Sequence, residues 1–417
     1  MMEIQRDIYV ERLKRRMGNQ QIKVITGVRR CGKSYLLFKL FKRFLMEQGV
    51  PQDHIIEIEF DRHRNAHLRN PDAACAYINS RLSDDEGKRY LLLDEVQLLQ
   101  DFEAVLNDYL HVDNLDIYVT GSNSKFLSSD IITEFAGRGD EVHVLPLSYR
   151  EYLQGASASR NPWGDYLTFG GLPQVLSRQS DTDKSDYLKG LFQNVYIKDV
   201  IRRNKIKHHP DEIEELLEIL ASSVGSLTNP LNLENAFRSM KKTAISRVTL
   251  GKYCRFLEEA FLIHKARRYD IKGKRYINTP LKYYFEDVGL RNALLNFRQH
   301  EENHLMENII YNELRFRGYN VDVGVVEIRD SASNRDRKAL EIDIVANSGN
   351  KRYYIQSAFA MPDDAKREQE NRPLRHTGDS FRKIIVTGDS TRIWRNNDGH
   401  TIMNIQDFLL NPDSLDM

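Results

Sequence analysis

The chain has 417 residues, 41% hydrophobic and 29% charged, and 61 Lys and Arg against 60 Asp and Glu leave a formal net charge of +1. That composition suits a globular protein of about two to four domains, and the near-neutral balance confines any nucleic-acid surface to a local patch. No apolar run reaches the roughly 18 residues of a membrane-spanning helix, so no membrane partner is expected. The N-terminus lacks an apolar signal core, and Cys31, Cys75 and Cys254 lack metal or redox spacing; a cytoplasmic location is expected.

The first informative element is an apolar run, Ile22–Thr26, that enters Gly27-Val28-Arg29-Arg30-Cys31-Gly32-Lys33-Ser34 and leaves through a helical pattern from Tyr35. The loop fits G-x-x-x-x-G-K-[ST] in the strand–loop–helix setting that motif needs. Its glycines let the backbone wrap a phosphate, with the N–H groups of the helix start pointing inward. ATP is therefore expected on Gly27, Val28, Arg29, Arg30, Cys31, Gly32, Lys33, Ser34 and Tyr35. Lys33 would reach the β- and γ-phosphates, and Ser34 would place its hydroxyl on Mg²⁺. The plain alternative is a glycine turn before a helix. Cys31 stands at a variable loop position, where a thiol near a helix N-terminus is open to oxidation.

A second strand is expected near 54–60. The next run, Arg89-Tyr90-Leu91-Leu92-Leu93-Asp94-Glu95-Val96-Gln97, reads as a buried parallel strand ending in two acids. Ligands of such sheets lie beyond the carboxyl ends of the strands. Asp94 would thus hold Mg²⁺, and Glu95 would polarise the attacking water as general base. A strand at 115–120 ends in Gly121-Ser122-Asn123-Ser124. Asn123, then Ser122, is the candidate to sense the γ-phosphate, although small polar residues also simply make turns. A helix over 125–136 closes with Gly137-Arg138-Gly139 before a strand at 141–145.

At this point the chain resembles the AAA+ ATPases, and more narrowly bacterial and archaeal AAA-type ATPases with a C-terminal domain of unknown function. The resemblance rests on GVRRCGKS at 27–34, LLLDEVQ at 91–97, VTGSNS at 119–124, AGRGDEVHVLPLSYREYL at 136–153, FGGLPQVL at 169–176 and KYYFEDVGLRNALL at 282–295. It covers nearly the whole chain. It implies that Arg138 is an arginine finger in a homo-oligomer with composite sites; the alternative is a local pair of Arg138 with Glu134 or Asp140.

Residues 148–205 read as mostly helical, a lid over the nucleotide broken at Gly170-Gly171-Leu172-Pro173, which is either a hinge or a helix-ending turn. Residues 211–295 read as three helices and a hairpin around Lys272-Gly273-Lys274, and resemble a winged helix. Arg267, Arg268, Lys272, Lys274 and Arg275 on that wing suit phosphate contacts with DNA, or else form a solvated hairpin packed on another subunit or domain.

The last segment resembles a restriction-endonuclease-like fold. Glu307 or Glu313 on a helix and Asp343 on a strand would be its metal-binding acids, but Gln356 and Ala358 stand where that fold has Glu and Lys. Lys366 or Arg367 on the next helix is a candidate substitute that nothing requires, and with the carboxylate and the Lys lost, binding or scaffolding is expected rather than cleavage. His300 and His304 lie one helical turn apart, a spacing shared by metal pairs and plain polar faces.

The expected architecture is α/β: a P-loop core of AAA+ type over 1–147, a helical lid over 148–210, a winged-helix-like module over 211–298 and a degenerate nuclease-like domain over 299–417. The expected function is Mg²⁺-dependent ATP binding and hydrolysis coupled to nucleic acid. The alternatives are a nucleotide-dependent switch organising protein partners, and an ATP-regulated nuclease.

Overall fold

The computed structural model describes residues 3–82, 87–121, 137–157, 159–206, 211–241, 245–299, 301–329 and 337–417. The chain divides into two compact units, one running to Pro146 and including Glu259–Phe261, the other comprising Leu147–Glu258 and Leu262–Met417.

In the first unit, α1 (Asp7–Lys14) precedes β1 (Ile22–Thr26), and the phosphate-type loop leads into α2, residues 33–47, whose middle turn Leu36–Phe41 is π-wound. There follow β2 (Ile55–Glu59), α3 (Pro71–Asn79), β3 (Arg89–Asp94), α4 (Phe102–Tyr109), β4 (Leu115–Thr120) and β5 (Gly139–His143). The strands form one parallel sheet in the order β2-β3-β4-β1-β5. All five lie within two residues of the expected positions, because short apolar runs between helices have no other way to bury both faces. Leu91, Leu93, Ile117, Val119, Ile56 and Ile58 pack with Phe102, Val105 and Leu106 from α4. Each such side chain contributes about 1.5–3 kcal/mol by leaving water. On the opposite face of the sheet Lys23 of β1 is ion-paired with Asp116 of β4, both buried, and Gly18 N–H and the Tyr118 hydroxyl satisfy the second carboxylate oxygen at 3.0 Å each.

The second unit opens with helices: α5 (Tyr149–Gly155), α6 (Pro162–Phe169), α7 (residues 181–203), α8 (Asp211–Ser222), α9 (residues 230–241) and α10 (Arg247–Glu259). Ser148 and Glu151 form a reciprocal capping box on α5. The Gly170-Gly171 break is a helix-ending turn fastened on both sides. Gly171 N–H donates to Asp287 Oδ2 at 2.7 Å, and Leu147 N–H donates to Gly171 O at 2.8 Å. A Cβ on Gly170, whose φ is +72°, would lie 2.2 Å from the Asp287 carboxylate. Asp287 also caps α11 (Val288–Leu294) through Leu290 N–H. Arg291 of α11 is fully buried and donates to Ala221 O (2.8 Å) and Gln299 O (2.7 Å), while Asn292 donates to Leu167 O and Thr168 O. The FGGLPQVL and FEDVGLRNALL stretches are thus two halves of one joint between α6, α8 and α11.

The expected hairpin is present as β6 (Ile263–Asp270) and β7 (Arg275–Phe285), antiparallel, and Thr228 forms an isolated bridge with Leu281 of β7. The helical and hairpin residues read as a module ending at 298 continue into the C-terminal sheet, because β6 also pairs in parallel with β8 (Asn320–Arg329). After α12 (Glu302–Arg317) the sheet continues through β8, β9 (Arg337–Ser348), β10 (Lys351–Ala358), β11 (Arg382–Thr387), β12 (Trp394–Arg395) and β13 (Thr401–Asn404), with α13 (Asp364–Arg375) crossing between β10 and β11 and α14 (Ile405–Leu410) at the end. The order is β12-β13-β11-β10-β9-β8-β6-β7, eight strands. No helix among the described residues is long and apolar enough to cross a membrane.

Candidate nucleotide site

The sheet order brings the carboxyl ends of β2, β3, β4 and β1 to one edge, and the loop 27–34 wraps that edge. Gly27 has φ +139°, and a Cβ there would lie 2.2 Å from Val144 O, so only glycine admits the approach of the following chain. Gly32 has φ +104° and stands immediately before α2, whose first turn carries no side-chain cap. Those N–H groups lack intrahelical partners and form an anion-binding surface. Cys31 is fully buried, its thiol 3.2 Å from Val144 O, and Arg6 donates to Cys31 O and Leu145 O. The thiol therefore braces the loop from below rather than lying open to oxidants. Lys33 is buried, and its ammonium donates to Gly27 O (2.9 Å) and Val28 O (3.1 Å) across its own loop.

Asp94 lies at the end of β3 and is buried. The Ser34 hydroxyl donates to its Oδ1 at 2.9 Å, and the Thr120 hydroxyl donates to the same oxygen. Burial pushes the Asp94 pKa up to about 6, against these two hydrogen bonds. Carboxylate oxygens of Glu59, Asp61 and Asp94 lie within 4.8 Å of one another. With the Ser34 hydroxyl they make an all-oxygen donor set, the kind that suits a hard divalent cation such as Mg²⁺. Glu95 takes left-handed backbone angles (φ +51°), which cost an ordinary residue roughly 1–2 kcal/mol. Its N–H is anchored on Thr120 Oγ1 at 3.1 Å, and its carboxylate accepts from the Gln97 amide. One hydroxyl at the end of β4 therefore contacts both the Asp94 carboxylate and the backbone of Glu95, the residue after β3.

Thr120, Glu59 and Asp61 were missed in the sequence reading, which looked only one strand at a time. The available signal was that each is the last or nearly the last polar residue at a strand's carboxyl end. Ser122 and Asn123 lie outside the described residues, as does Glu134. Arg138 is described, exposed and far from the loop of its own chain: its carbonyl accepts from Ile22 N–H at 2.8 Å, at the amino end of β1. The strand separates that point from Thr26 by roughly 13 Å at about 3.3 Å per residue. Asp140, the local partner considered for Arg138, takes Arg16 at 2.7 Å.

The hairpin cations are divided among β6 (Arg267, Arg268), the connecting turn (Lys272, Lys274) and the first residue of β7 (Arg275). Lys272, Lys274 and Arg267 are exposed, the Arg267 guanidinium lies 4.0 Å over the Tyr276 ring, and Arg275 stands 3.6 Å from Asp270 with three quarters of its side chain exposed. Arg268 is half-buried.

In the C-terminal half, Glu307 and Asp343 converge on a cation that the sequence reading did not connect with them. Lys282 of β7 is 3% exposed, and its ammonium lies 2.8 Å from Glu307, 2.9 Å from Glu341 and 3.7 Å from Asp343. The Tyr284 hydroxyl donates to Glu307 at 2.5 Å. Burial alone would lower the Lys282 pKa, but the three carboxylates outweigh it and raise it above the ordinary lysine value. Burial and Glu307 push Asp343 up to about 8. Glu313 points elsewhere and pairs with Arg317 at 2.7 Å, while Lys366 pairs with Glu370 and Arg367 with Asp364. Gln356 accepts from the Asp343 N–H at 3.3 Å. His304 is half-buried with no hydrogen-bond partner for Nδ1 among the described residues, and His300 lies outside them.

The first unit is an AAA-type P-loop fold: residues 19–153 match the AAA domain family, and residues 160–301 match a domain of unknown function. The whole chain is 31% identical over 416 residues to an uncharacterized protein of Haemophilus influenzae, covering 98% of each, and it belongs to that protein's family. An uncharacterized protein of Methanocaldococcus jannaschii is 26% identical over 84% of this chain and 77% of its own length. Among solved structures, the Aeropyrum pernix ORC1 protein in complex with DNA aligns at 10% identity and a TM-score of 0.33, over 70% of this chain and 92% of that one. A DNA polymerase III gamma subunit-related protein of Thermotoga maritima aligns at 13% identity and a TM-score of 0.29, over 60% and 99%.

Proposed function

We propose that the chain binds ATP with Mg²⁺ on the loop 27–35 and hydrolyses it. The observation that carries this reading is the Ser34–Asp94–Thr120–Glu95 cluster beside Lys33. The loop N–H groups and Lys33 hold the phosphates, the lysine exchanging its two loop carbonyls for phosphate oxygens. Ser34 and Asp94 hold Mg²⁺, which when bound supplies charge neutralisation at the β- and γ-phosphates. Glu95 takes a proton from water as that water attacks, and Asn123 or Ser122 orients it. Arg138 serves the site of a neighbouring copy in a homo-oligomer.

The cycle is coupled to nucleic acid through the basic hairpin of Arg267, Arg268, Lys272, Lys274 and Arg275, within a winged-helix-like order of helix, bridge, two helices and hairpin. The C-terminal half is restriction-endonuclease-like in its element order and binds or scaffolds without cutting. What favours scaffolding over cleavage is the position of Lys282 among Glu307, Glu341 and Asp343, closed over by Gly225, where a Cβ would lie 3.4 Å from both Glu307 oxygens.

Steady-state ATP turnover with and without duplex DNA, across salt, tests the reading. Lys33→Ala abolishes turnover. Glu95→Gln keeps nucleotide binding and slows hydrolysis. DNA raises turnover at low salt and the stimulation fades as salt rises. Unchanged turnover in Glu95→Gln would remove Glu95 as the base, and DNA-insensitive turnover at every salt concentration would favour the protein-organising switch.

A further inference from the structure

Five side chains of the eight-stranded sheet form a row of rings and guanidinium groups that reaches across non-adjacent strands. The Arg267 guanidinium carbon of β6 lies 4.0 Å from the centroid of the Tyr276 ring of β7, and Tyr276 meets Tyr269 of β6 edge-on with centroids 5.4 Å apart. Arg352 of β10 continues the row, 5.2 Å from the Tyr269 centroid and 5.5 Å from the centroid of Phe381, the residue before β11. Strands β8 and β9 lie between β6 and β10. The residue of β8 paired with Tyr269 is Gly324, which leaves room for that reach, and Asn347 of β9 accepts from Arg352 Nε at 2.7 Å. Tyr276 and Phe381 are 47% and 39% exposed, Arg267 is exposed, and Tyr269 and Arg352 are half-buried. The row is thus preformed, and its outer rings present surface that the core does not use.

The chemistry of the row selects its occupant. Asp322, which accepts from the Tyr276 hydroxyl at 3.0 Å, is buried, and burial raises its pKa, so it opposes an approaching anion less than an exposed carboxylate would. Asp379, close to Phe381 in the chain, accepts from the Tyr354 hydroxyl at 2.6 Å and lies 3.8 Å from the Lys383 ammonium. Lys272 and Lys274, on the turn before Tyr276, are exposed. The row therefore offers positive charge beside open rings. Duplex DNA has phosphates for the charge, but its bases are stacked on one another and show no free π-face to a ring on a sheet. Protein hot spots cluster in closed, well-packed pockets, whereas this row is an open line. A single strand supplies both parts: unstacked bases for the rings and guanidinium planes, and phosphates for the cations.

We infer that the row from Arg267 to Phe381 binds single-stranded nucleic acid, with bases stacked on Tyr276 and Phe381 and with Arg267 and Arg352 beside the phosphates. This rests on the nucleic-acid reading of the basic hairpin, and it adds base contacts that extend to Arg352 and Phe381, outside that hairpin.

The test measures binding of the full chain to a fluorescein-labelled strand of about 15 thymidines, to an abasic strand of the same length and to a duplex of the same length, across potassium chloride concentrations. Phe381→Leu is the decisive variant. It keeps an apolar side chain, leaves every cation in place and lies outside the hairpin. Its affinity for the thymidine strand falls roughly tenfold or more while the salt slope is kept, and binding of the abasic strand and of the duplex is unchanged. Tyr276→Leu shows the same selective loss, and Tyr276→Phe, which keeps the ring and drops the hydroxyl, restores binding. Parent-like affinity for the thymidine strand in Phe381→Leu, with binding still weakened by changing Lys272, Lys274 and Arg275 to Gln, would overturn the inference and leave the hairpin reading standing. An equal loss on all three ligands would mean that the row only stiffens the sheet, and would overturn the inference as well. No binding of any of the three by the parent even at low salt would end both readings. A change of oligomeric state in Phe381→Leu without loss of affinity would assign the row to a protein partner and overturn the inference.

Discussion

The Lys282 ammonium lies 2.8 Å from Glu307 Oε1, in a pocket it shares with Glu341 and Asp343. It joins β7 to α12 and β9 by charge, and it occupies the place toward which the acids of that half of the chain converge. Removing one partner of a buried ion pair leaves uncompensated charge, worth about 3–5 kcal/mol. Lys282→Met is therefore expected to lower the melting temperature of the second unit sharply, and Lys282→Met with Glu307→Gln to recover part of the loss. Parent and variants, incubated with ATP and either Mg²⁺ or Mn²⁺, are expected to leave plasmid and linear DNA intact. DNA cutting by the parent that disappears in Asp343→Ala but persists in Lys33→Ala would show a working nuclease.

Thr120 contacts the Asp94 carboxylate and the Glu95 backbone N–H through one hydroxyl. Thr120→Val keeps the shape and deletes the donor to Asp94 and the acceptor for Glu95 N–H. Leaving such buried groups unsatisfied costs about 1–3 kcal/mol, so turnover is expected to fall roughly tenfold or more with nucleotide affinity little changed, because the loop contacts remain. Thr120→Ser is expected to retain most of the activity. Parallel measurement of kcat and nucleotide Kd checks this, and parent-like kcat in the valine variant would count against a positioning role.

Arg138 sits at the amino end of β1, beside Ile22, and the phosphate loop sits at the carboxyl end. In the proposed homo-oligomer, a finger at that place would serve a neighbour's site. Arg138→Ala is expected to bind ATP and hydrolyse it poorly, and mixing it with Lys33→Ala subunits to restore part of the turnover, since each supplies what the other lacks. Full activity in a demonstrated monomer would rule out the composite site.

Asp287 clamps the Gly171 turn onto α11, and burial raises its pKa from 3.8 to about 6 against three backbone N–H donors. A carboxyl whose folded pKa lies above its unfolded one holds its proton more tightly in the native state. Its contribution is most favourable below about pH 4, declines as pH rises through about 4 to 6, and is flat above. The stability of the parent relative to Asp287→Asn is thus expected to fall by about 3 kcal/mol between about pH 4 and about pH 7. Urea unfolding of the two proteins side by side reads the difference, and a pH-independent gap would mean that Asp287 is ionised throughout.

The sequence by itself determined the parallel sheet, the loop 27–34 and the placement of Asp94 and Glu95, because these depend on short-range order. Apolar runs of strand length, glycines at fixed offsets and acids at a strand end are local signals. Tertiary structure decided everything that depends on residues distant in the chain coming together. Thr120 is 26 residues from Asp94, and only the β3–β4 pairing brings its hydroxyl there. Lys282 precedes Asp343 by 61 positions and reads in isolation as one more charge on an amphipathic strand, and only the packing brings its ammonium to Glu307, Glu341 and Asp343. Gly170 and Gly171 read equally as hinge or turn until Asp287 was seen to lock them. The physical reason is the same in each case: periodicity reports which face of an element is buried, whereas the partner that a buried polar group requires is set by packing, which no single segment encodes.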